Sequence, residues 1–555
     1  MSVAAAKVEG LAAEHSRVGG QPVPGRAGSR PVVEPATGRP FAEVSLLDGT
    51  QAAAAVAAAR AASAAWAALS FAERAAHLLA LREAVLSDAE GIARLISREQ
   101  GKPAVEAHLA EVFPALEQLR YVALHAERVL RDEPVRSEVV LFAHKRARLV
   151  HVPYGVVLLI TPWNYPFLIP VVGIAAALAA GNTVVLKPAP STTLVALRLA
   201  ELAASAGLPP GVLNVVATDD QVAASLVTDP AVGKIAFTGS VETGKKIMAA
   251  AAANLTPVLL ELGGKDAAIV CRDADLDRAA RGIVWGAFMN AGQTCASVER
   301  VYVEQSVAEA FTARVVEETR RLRMGDPAGD EVEVGPLSLE RQRRVVEAHV
   351  ADALSRGARA LTGGARAEGA GWFYPPTVLV GVDHSMRVMR EESFGPVLPI
   401  MPVASVDEAI RLANDTEFGL TASGWTRDPA TARRLQKELQ AGVVTINDCV
   451  SSYGEPTAPW GGFKRSGIGR THGAAGLREM AQVKYVSEDD SAAPALWWYP
   501  YSRDLLRLAE AANPAIHARS LMRKLRAQLQ LIASRRFRGR VSLSSLLSRI
   551  DRLLL

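Results

Sequence analysis

The chain is poor in cysteine and in uninterrupted apolar sequence. Its 555 residues hold three cysteines, Cys271, Cys295 and Cys449. These are too few and too scattered for a disulfide scaffold or a zinc cluster, and they fit a reducing compartment. No His/Cys/Asp cluster has metal-ligand spacing, so no metal is expected. The most apolar region, 155–180, is broken by Pro162, Trp163, Asn164, Pro166 and Pro170. A bilayer-crossing helix needs ~20 uninterrupted apolar residues, which excludes a membrane span here. The N-terminal stretch lacks a basic start followed by an apolar run, so no secretory signal is read and a cytoplasmic location is expected. The 43 glycines and 31 prolines show no short period, which excludes collagen-like and low-complexity chains. No internal repeat is present. What remains, at 49% hydrophobic and 22% charged residues, is a globular protein long enough for more than one domain.

Charge is unevenly spread. The net charge is +4 and the pI is near 8.9. Residues 502–555 nevertheless hold twelve Lys and Arg against three Asp and Glu, a net of +9. The remainder, with fifty basic and fifty-five acidic residues, is mildly acidic. The high pI therefore reports a basic tail, and no nucleic-acid partner is expected of the body.

Residues 52–69, 75–96 and 104–129 repeat apolar side chains at helical spacing. Residues 148–160 read as a strand. Short β-branched runs follow at 183–186 (TVVL), 212–216 (VLNVV), 234–237 (KIAF), 258–260 (VLL) and 267–270 (AAIV), mostly separated by helical stretches. Further strands are expected at 301–303, 377–380 and 443–446. Short buried strands alternating with helices predict an α/β fold with parallel sheets in two lobes. Residues 1–30, rich in Ala and Gly, are expected to be poorly ordered.

Several residues stand where chemistry is plausible. Cys295, in FMNAGQTCAS, has small and polar neighbours that suit an accessible nucleophilic thiol; a buried packing cysteine is the competing reading. Cys271 and Cys449 read as packing residues. Glu261 ends an apolar strand just before two glycines, where burial would raise its pKa toward that of a general base. Pairing with Lys265 is the alternative. Asn164 lies between Pro162 and Pro166, which stiffen the backbone enough to hold its amide as an oxyanion donor; otherwise it is a turn asparagine. The turn Gly239-Ser240-Val241-Glu242-Thr243-Gly244 follows KIAF and opens a helix expected at 245–252, whose N-terminal N–H groups suit phosphate. Lys187, at the end of TVVLK, reaches a ribose or is simply solvated.

Taken in order, TPWNYP, KPAPST, FTGSVETGKKI, LELGGKD, FMNAGQTCAS, EESFGPV, NDTEFGL and PWGGFKRSGIGR resemble the aldehyde dehydrogenase superfamily across about residues 30–490. The resemblance implies a Rossmann-like cofactor domain (31–135 and 155–262), a catalytic domain (263–477) and a β-arm bridging subunits (136–154 and 478–490). It implies Cys295 as nucleophile through a thioester, Asn164 with the Cys295 N–H as oxyanion hole, and Glu261 as general base. Gly239, Ser240 and Gly244 match the pyrophosphate turn, Lys187 and Glu392 the ribose contacts, and Trp163 and Phe394 the nicotinamide surroundings. Tyr165 and Trp460 match the substrate tunnel, whose aromatic walls suit apolar or aromatic aldehydes. The implied activity is NAD- or NADP-dependent, non-acylating oxidation of an aldehyde by a homodimer or homotetramer. Where many NAD-using relatives carry Glu, this chain has Pro190. That leaves NADP open, with NAD slightly favoured by family frequency. A succinate-semialdehyde substrate and a long-chain apolar aldehyde both remain open, since no tunnel arginine can be assigned from sequence.

The extension 491–555 lies beyond the resemblance. Trp497, Trp498, Tyr499 and Tyr501 precede a basic stretch in which Leu521, Leu525, Leu529 and Ile532 recur at helical spacing among Arg519, Arg523, Arg526, Arg535 and Arg536. A peripheral contact of 502–555 with an anionic membrane is one reading. A helix packed on the acidic body or on a sister subunit is the other.

Overall fold

The computed structural model describes residues 13–137, 139, 142, 145–490, 495 and 497–533. The chain forms two units, Met1–Val129 with Pro153–Gln482, and Leu130–Val152 with Val483–Leu555.

The first unit is built on two largely parallel sheets. Val156–Ile160, Thr183–Lys187, Leu213–Val215, Val232–Thr238 and Val258–Glu261 are short aliphatic runs, almost wholly buried, as strands covered by helices on both faces must be. In space they lie in the order Val258–Glu261, Val232–Thr238, Val156–Ile160, Thr183–Lys187, Leu213–Val215, all parallel. The first of them in sequence is thus central, and the chain winds outward to both sides. This order makes a switch point between Val156–Ile160 and Val232–Thr238, where α/β sheets open a crevice at the strands' carboxyl ends. The register aligns those ends: Ile160 lies opposite Lys187 and Phe237, and Thr238 opposite Glu261.

The expected disorder of residues 1–30 is corrected from Ala13 onward. Ser16–Val18 joins the sheet edge antiparallel to Leu213–Val215, and Gln21–Val23 pairs back on it. The Ser16 hydroxyl also accepts the Ala217 N–H at 2.9 Å. Backbone pairing to an open edge orders this segment, which its Ala- and Gly-rich side chains do not foretell. Residues 1–12 lie outside the described residues.

The second sheet runs Arg359–Ala360, Thr377–Val380, Val397–Val403, Val298–Glu304, Asp266–Val270, Thr421–Trp425, Val443–Ile446. It is parallel except for its first strand. Arg359–Ala360, Val397–Val403 and Thr421–Trp425 lie outside the expected strands. The other expected strands here extend by a residue or more or match. Between the strand Val258–Glu261 of one sheet and the strand Asp266–Val270 of the other stand only Leu262, Gly263, Gly264 and Lys265.

Helices also refine the expectation. The stretch 75–96 is two helices, Phe71–Ser87 and Ala89–Gln100. The stretch 104–129 is interrupted by a π-helical turn, His108–Val112, before Phe113–Leu130.

The second unit contains a small sheet in the order Ala481–Glu488, Arg146–Pro153, Glu133–Val135. Two helices follow, Arg503–His517 and Leu521–Ala533, closed by Leu508, Ala511 and Ala515 packing with Ala527 and Leu531. Arg535 and Arg536 lie outside the described residues, as does the side chain of Ile532.

Candidate active site

The loop before Cys295 is held in an unusual backbone conformation. Asn290, Ala291 and Gly292 all have positive φ, at 53°, 53° and 71°. Such geometry persists only where surroundings enforce it. The Asn290 N–H donates to Glu106 at 2.8 Å, and its amide donates to the carbonyls of Asn164 (3.0 Å) and Gln293 (3.1 Å). Gln100 donates to the Asn290 side-chain oxygen at 2.9 Å. Burial pushes the Glu106 carboxyl up to about 7, against the pull of Lys102.

Asn164 is buried in the same network. Its Nδ2 donates to the Gln293 carbonyl at 3.0 Å. Its own carbonyl accepts from Lys102 Nζ, also at 3.0 Å. Lys102 in turn forms a fully buried ion pair with Glu111 at 2.7 Å and lies 3.7 Å from the centre of the Tyr165 ring. The other Glu111 oxygen accepts the N–H groups of Phe167 and Leu168, capping the helix Leu168–Ala179. The π-helical turn thus supplies a buried acid, while its Leu109 and Ala110 line the cavity beside Cys295.

That cavity measures about 240 Å³. Cys295 and Glu261 both line it, together with Tyr165 and Trp460. The Tyr165 hydroxyl is fixed at 2.8 Å from Thr294 Oγ1. Tyr453, not singled out from sequence, meets Trp460 edge-on at 4.9 Å. Cys295 is half-buried, and enclosure followed by the nearby charges of Asp266, Glu261 and Glu392 pushes its thiol well above the ordinary range. Cys271 and Cys449 are buried; the Cys449 thiol donates to the Gly282 carbonyl at 3.1 Å.

Glu261 is 5% exposed, and neither of its carboxyl oxygens has a hydrogen-bond partner among the described residues. Burial raises its pKa far above the carboxylate range; Arg470 opposes this and Glu479 adds to it. The alternative pairing with Lys265 is not formed. Lys265 instead meets Glu299 at 2.5 Å. Glu299 also accepts the N–H groups of Ser393 and Phe394, each at 2.8 Å. This clamp fixes the loop of Glu392 and Phe394, in which Phe394 takes a φ of 49° and meets Trp163 edge-on at 5.4 Å. Glu392 accepts the Gly264 N–H at 2.9 Å, and burial followed by repulsion from Glu299 pushes it up to about 8.

The two glycines after Glu261 have a steric reason. A Cβ on Gly264 would lie 2.4 Å from the Cys295 carbonyl oxygen, and one on Gly263 would lie 2.6 Å from the Glu392 carboxylate. The segment joining the two sheets therefore passes in contact with the nucleophile loop.

The crevice at the switch point holds the other expected residues. Ser240 caps the helix Val241–Ala251, its hydroxyl accepting the Thr243 N–H. The expected start at 245 is thereby corrected to 241, and Gly244 lies within the helix, packed at Leu262. What this turn offers an anion is the helix's N-terminal N–H groups. The Gly239 N–H donates to the Glu261 carbonyl at 3.0 Å. Lys187 is buried at its strand end, its pKa lowered chiefly by desolvation, with Asp220, Arg30 and Asp219 acting on it. The hydroxyls of Thr161, Thr192 and Thr218 are buried without partners among the described residues. A helix N-terminus, a buried lysine and orphaned hydroxyls at the carboxyl ends of these strands fit a dinucleotide.

Comparison with known proteins agrees with this geometry. A model described as the aldehyde dehydrogenase family matches residues 23–486. The 4,4'-diapolycopene aldehyde oxidase of Methylomonas sp is 40% identical over 79% of this chain and 82% of its own length. The NADP(+) succinate-semialdehyde dehydrogenase GabD of Escherichia coli (strain K12) is 39% identical over 82% of this chain and 93% of its own. The NAD+ complex of aldehyde dehydrogenase from Bacillus cereus superposes with a TM-score of 0.83 at 34% identity, covering 86% of this chain and 97% of that one.

Proposed function

The chain belongs to the aldehyde dehydrogenase family, and from that premise we propose that it oxidises an uncharged, apolar aldehyde through Cys295. The activity itself is NAD(P)-dependent oxidation of an aldehyde. The substrate assignment rests on the cavity wall. Among the described residues that line it, Glu261 alone is charged, and the rest of the tube is built from groups such as Leu109, Pro114, Leu168, Ile169, Met289 and Val450. A semialdehyde's carboxylate would enter this wall without a cationic partner, at a desolvation cost of several kcal/mol, and an aminoaldehyde's ammonium would find only Glu261, the base that the reaction needs. The relative named for diapolycopene aldehyde supports the apolar choice.

Cys295, its thiol proton released to solvent, attacks the aldehyde carbon as the thiolate. One N–H of the Asn164 amide is tied to Gln293; the other, with the Cys295 backbone N–H, receives the developing oxyanion. A bound nicotinamide would supply the hydride acceptor that lets the Cys295 adduct become a thioester. Glu261, with both oxygens free, takes a proton from water, which attacks the thioester; the acid departs and the thiolate returns. Lys187, Glu392, Trp163, Phe394 and the Ser240 turn hold the dinucleotide. The strand Ala481–Glu488 lies at a sheet edge with Val483 and Tyr485 exposed, and we assign it to subunit pairing in a homodimer or homotetramer.

The test follows reduced nicotinamide with both cofactors across aliphatic, aromatic, semialdehyde and aminoaldehyde substrates. Long aliphatic aldehydes should give the highest kcat/KM, and Cys295→Ala should abolish turnover. A preference for succinate semialdehyde overturns the substrate assignment.

A further inference from the structure

We propose that the C-terminal helical hairpin is a docking surface for an anionic lipid bilayer. The hairpin closes its own small core with Leu508, Ala511, Ala515, Ala527 and Leu531, yet leaves larger apolar groups outside. On Leu521–Ala533, Leu521, Met522, Leu525 and Leu529 are 54%, 78%, 43% and 67% exposed. At 3.6 residues per turn they form one strip spread over roughly 100° of the helix surface. Arg523 and Arg526, both exposed, follow on the adjoining strip.

Ahead of the hairpin stand Trp497, Trp498, Tyr499 and Tyr501, all exposed. Trp497 is braced edge-on against Phe142 at 5.2 Å, with Lys145 Nζ 5.4 Å from its ring. Beside it an open groove of about 610 Å³ is lined by Trp497, Tyr501, Leu505, Leu506, Leu508 and Leu531. Exposed Trp and Tyr next to an apolar strip flanked by arginines match the layers of a bilayer surface: aromatic rings at the headgroup level, aliphatic groups just below, guanidinium groups on phosphate.

Charge favours an anionic bilayer over a second copy of the chain, whose remainder carries a net of only −5. The segment 502–555 carries a net +9, which complements anionic headgroups. Among the described residues no helix is long and apolar enough to cross a membrane, so the hairpin lies on the surface.

The experiment sediments the full chain with vesicles of phosphatidylcholine alone or mixed with phosphatidylglycerol, without aldehyde, so its outcome is independent of the substrate assignment. The protein should pellet with the anionic vesicles and be released when ionic strength rises from about 0.1 M to about 1 M, which shortens the screening length from ~10 Å to ~3 Å. Leu521→Gln/Met522→Gln/Leu525→Gln/Leu529→Gln and Arg523→Glu/Arg526→Glu should each weaken vesicle binding about tenfold. Neither should change dehydrogenase activity or the sedimentation coefficient of the vesicle-free protein. Equal binding to neutral and anionic vesicles, or undiminished binding by both variants, overturns the proposal. So does a change in assembly size on substitution, which would make this face a contact between copies.

Discussion

The side-chain amide of Asn164 donates to the carbonyl of Gln293 at 3.0 Å, two residues before Cys295. The residue proposed for the oxyanion hole is thus hydrogen-bonded to the loop that carries Cys295, the proposed nucleophile. Lys102, itself neutralised by Glu111, holds the Asn164 carbonyl from the other side. A donor fixed before the charge develops needs no reorganisation, which is where such groups gain their catalytic effect.

Asn164→Ala should therefore lower kcat by about 10²–10³-fold, the usual loss for one oxyanion donor. It also removes the tether to Gln293, so the rate of Cys295 alkylation should change as well. Steady-state kinetics and thiol labelling read the two effects. A loss under tenfold in kcat would mean that the amide serves the loop alone.

As the proposed general base, Glu261 should carry the pH dependence of deacylation. Burial raises its pKa, so the carboxylate form needed as base is scarce at low pH and grows as pH rises through the raised value. Deacylation should accelerate with pH across a range where an ordinary glutamate would already be fully ionised. In Glu261→Gln the first turnover should persist as a burst of reduced nicotinamide, while steady-state turnover falls about 10²–10⁴-fold and loses this pH limb. Stopped-flow measurements separate the burst, which follows Cys295, from the steady rate.

Much of this was legible in the sequence. Thr377–Val380 and Val443–Ile446 are strands at the expected residues because β-branched runs bounded by turn-forming residues, Pro376 and Gly381 or Gly442 and Asn447, have few alternatives. Cys295, Glu261, Tyr165 and Trp460 were singled out and all line one cavity. Lys102 and Glu111 were not, since nothing near either residue marks it as the partner of a loop 62 or 56 positions away. Val397–Val403 escaped because two prolines interrupt its pattern. Ser16–Val18 escaped because sheet pairing, a long-range property, orders it.

Gly264→Ala tests the junction between the sheets. The added methyl would lie 2.4 Å from the Cys295 carbonyl oxygen, a backbone atom that cannot turn aside. The nucleophile loop must shift, and a displacement near 1 Å costs about 10²-fold in rate. Activity should fall by at least that factor, while far-UV circular dichroism stays that of the parent protein. Full activity in the variant would show that the junction yields instead of the loop.

Pro190→Glu tests cofactor choice. Pro190 follows Lys187 by three residues, in the turn before the helix Thr193–Ser205. Charges near Lys187 are mixed: Arg30 acts against its protonation, while Asp219 and Asp220 favour it. Asp219 also caps the next helix through the Val222 N–H at 2.8 Å. Proline adds no charge to this balance, so nothing at position 190 repels a 2′-phosphate. A glutamate there would bond ribose hydroxyls and repel that phosphate. The KM for NADP should rise at least about tenfold, the equivalent of 1.4 kcal/mol, with a smaller change for NAD. Equal changes for both cofactors would mean that position 190 does not face the ribose, and would shift the search for the discriminating group to Arg30 and Asp220.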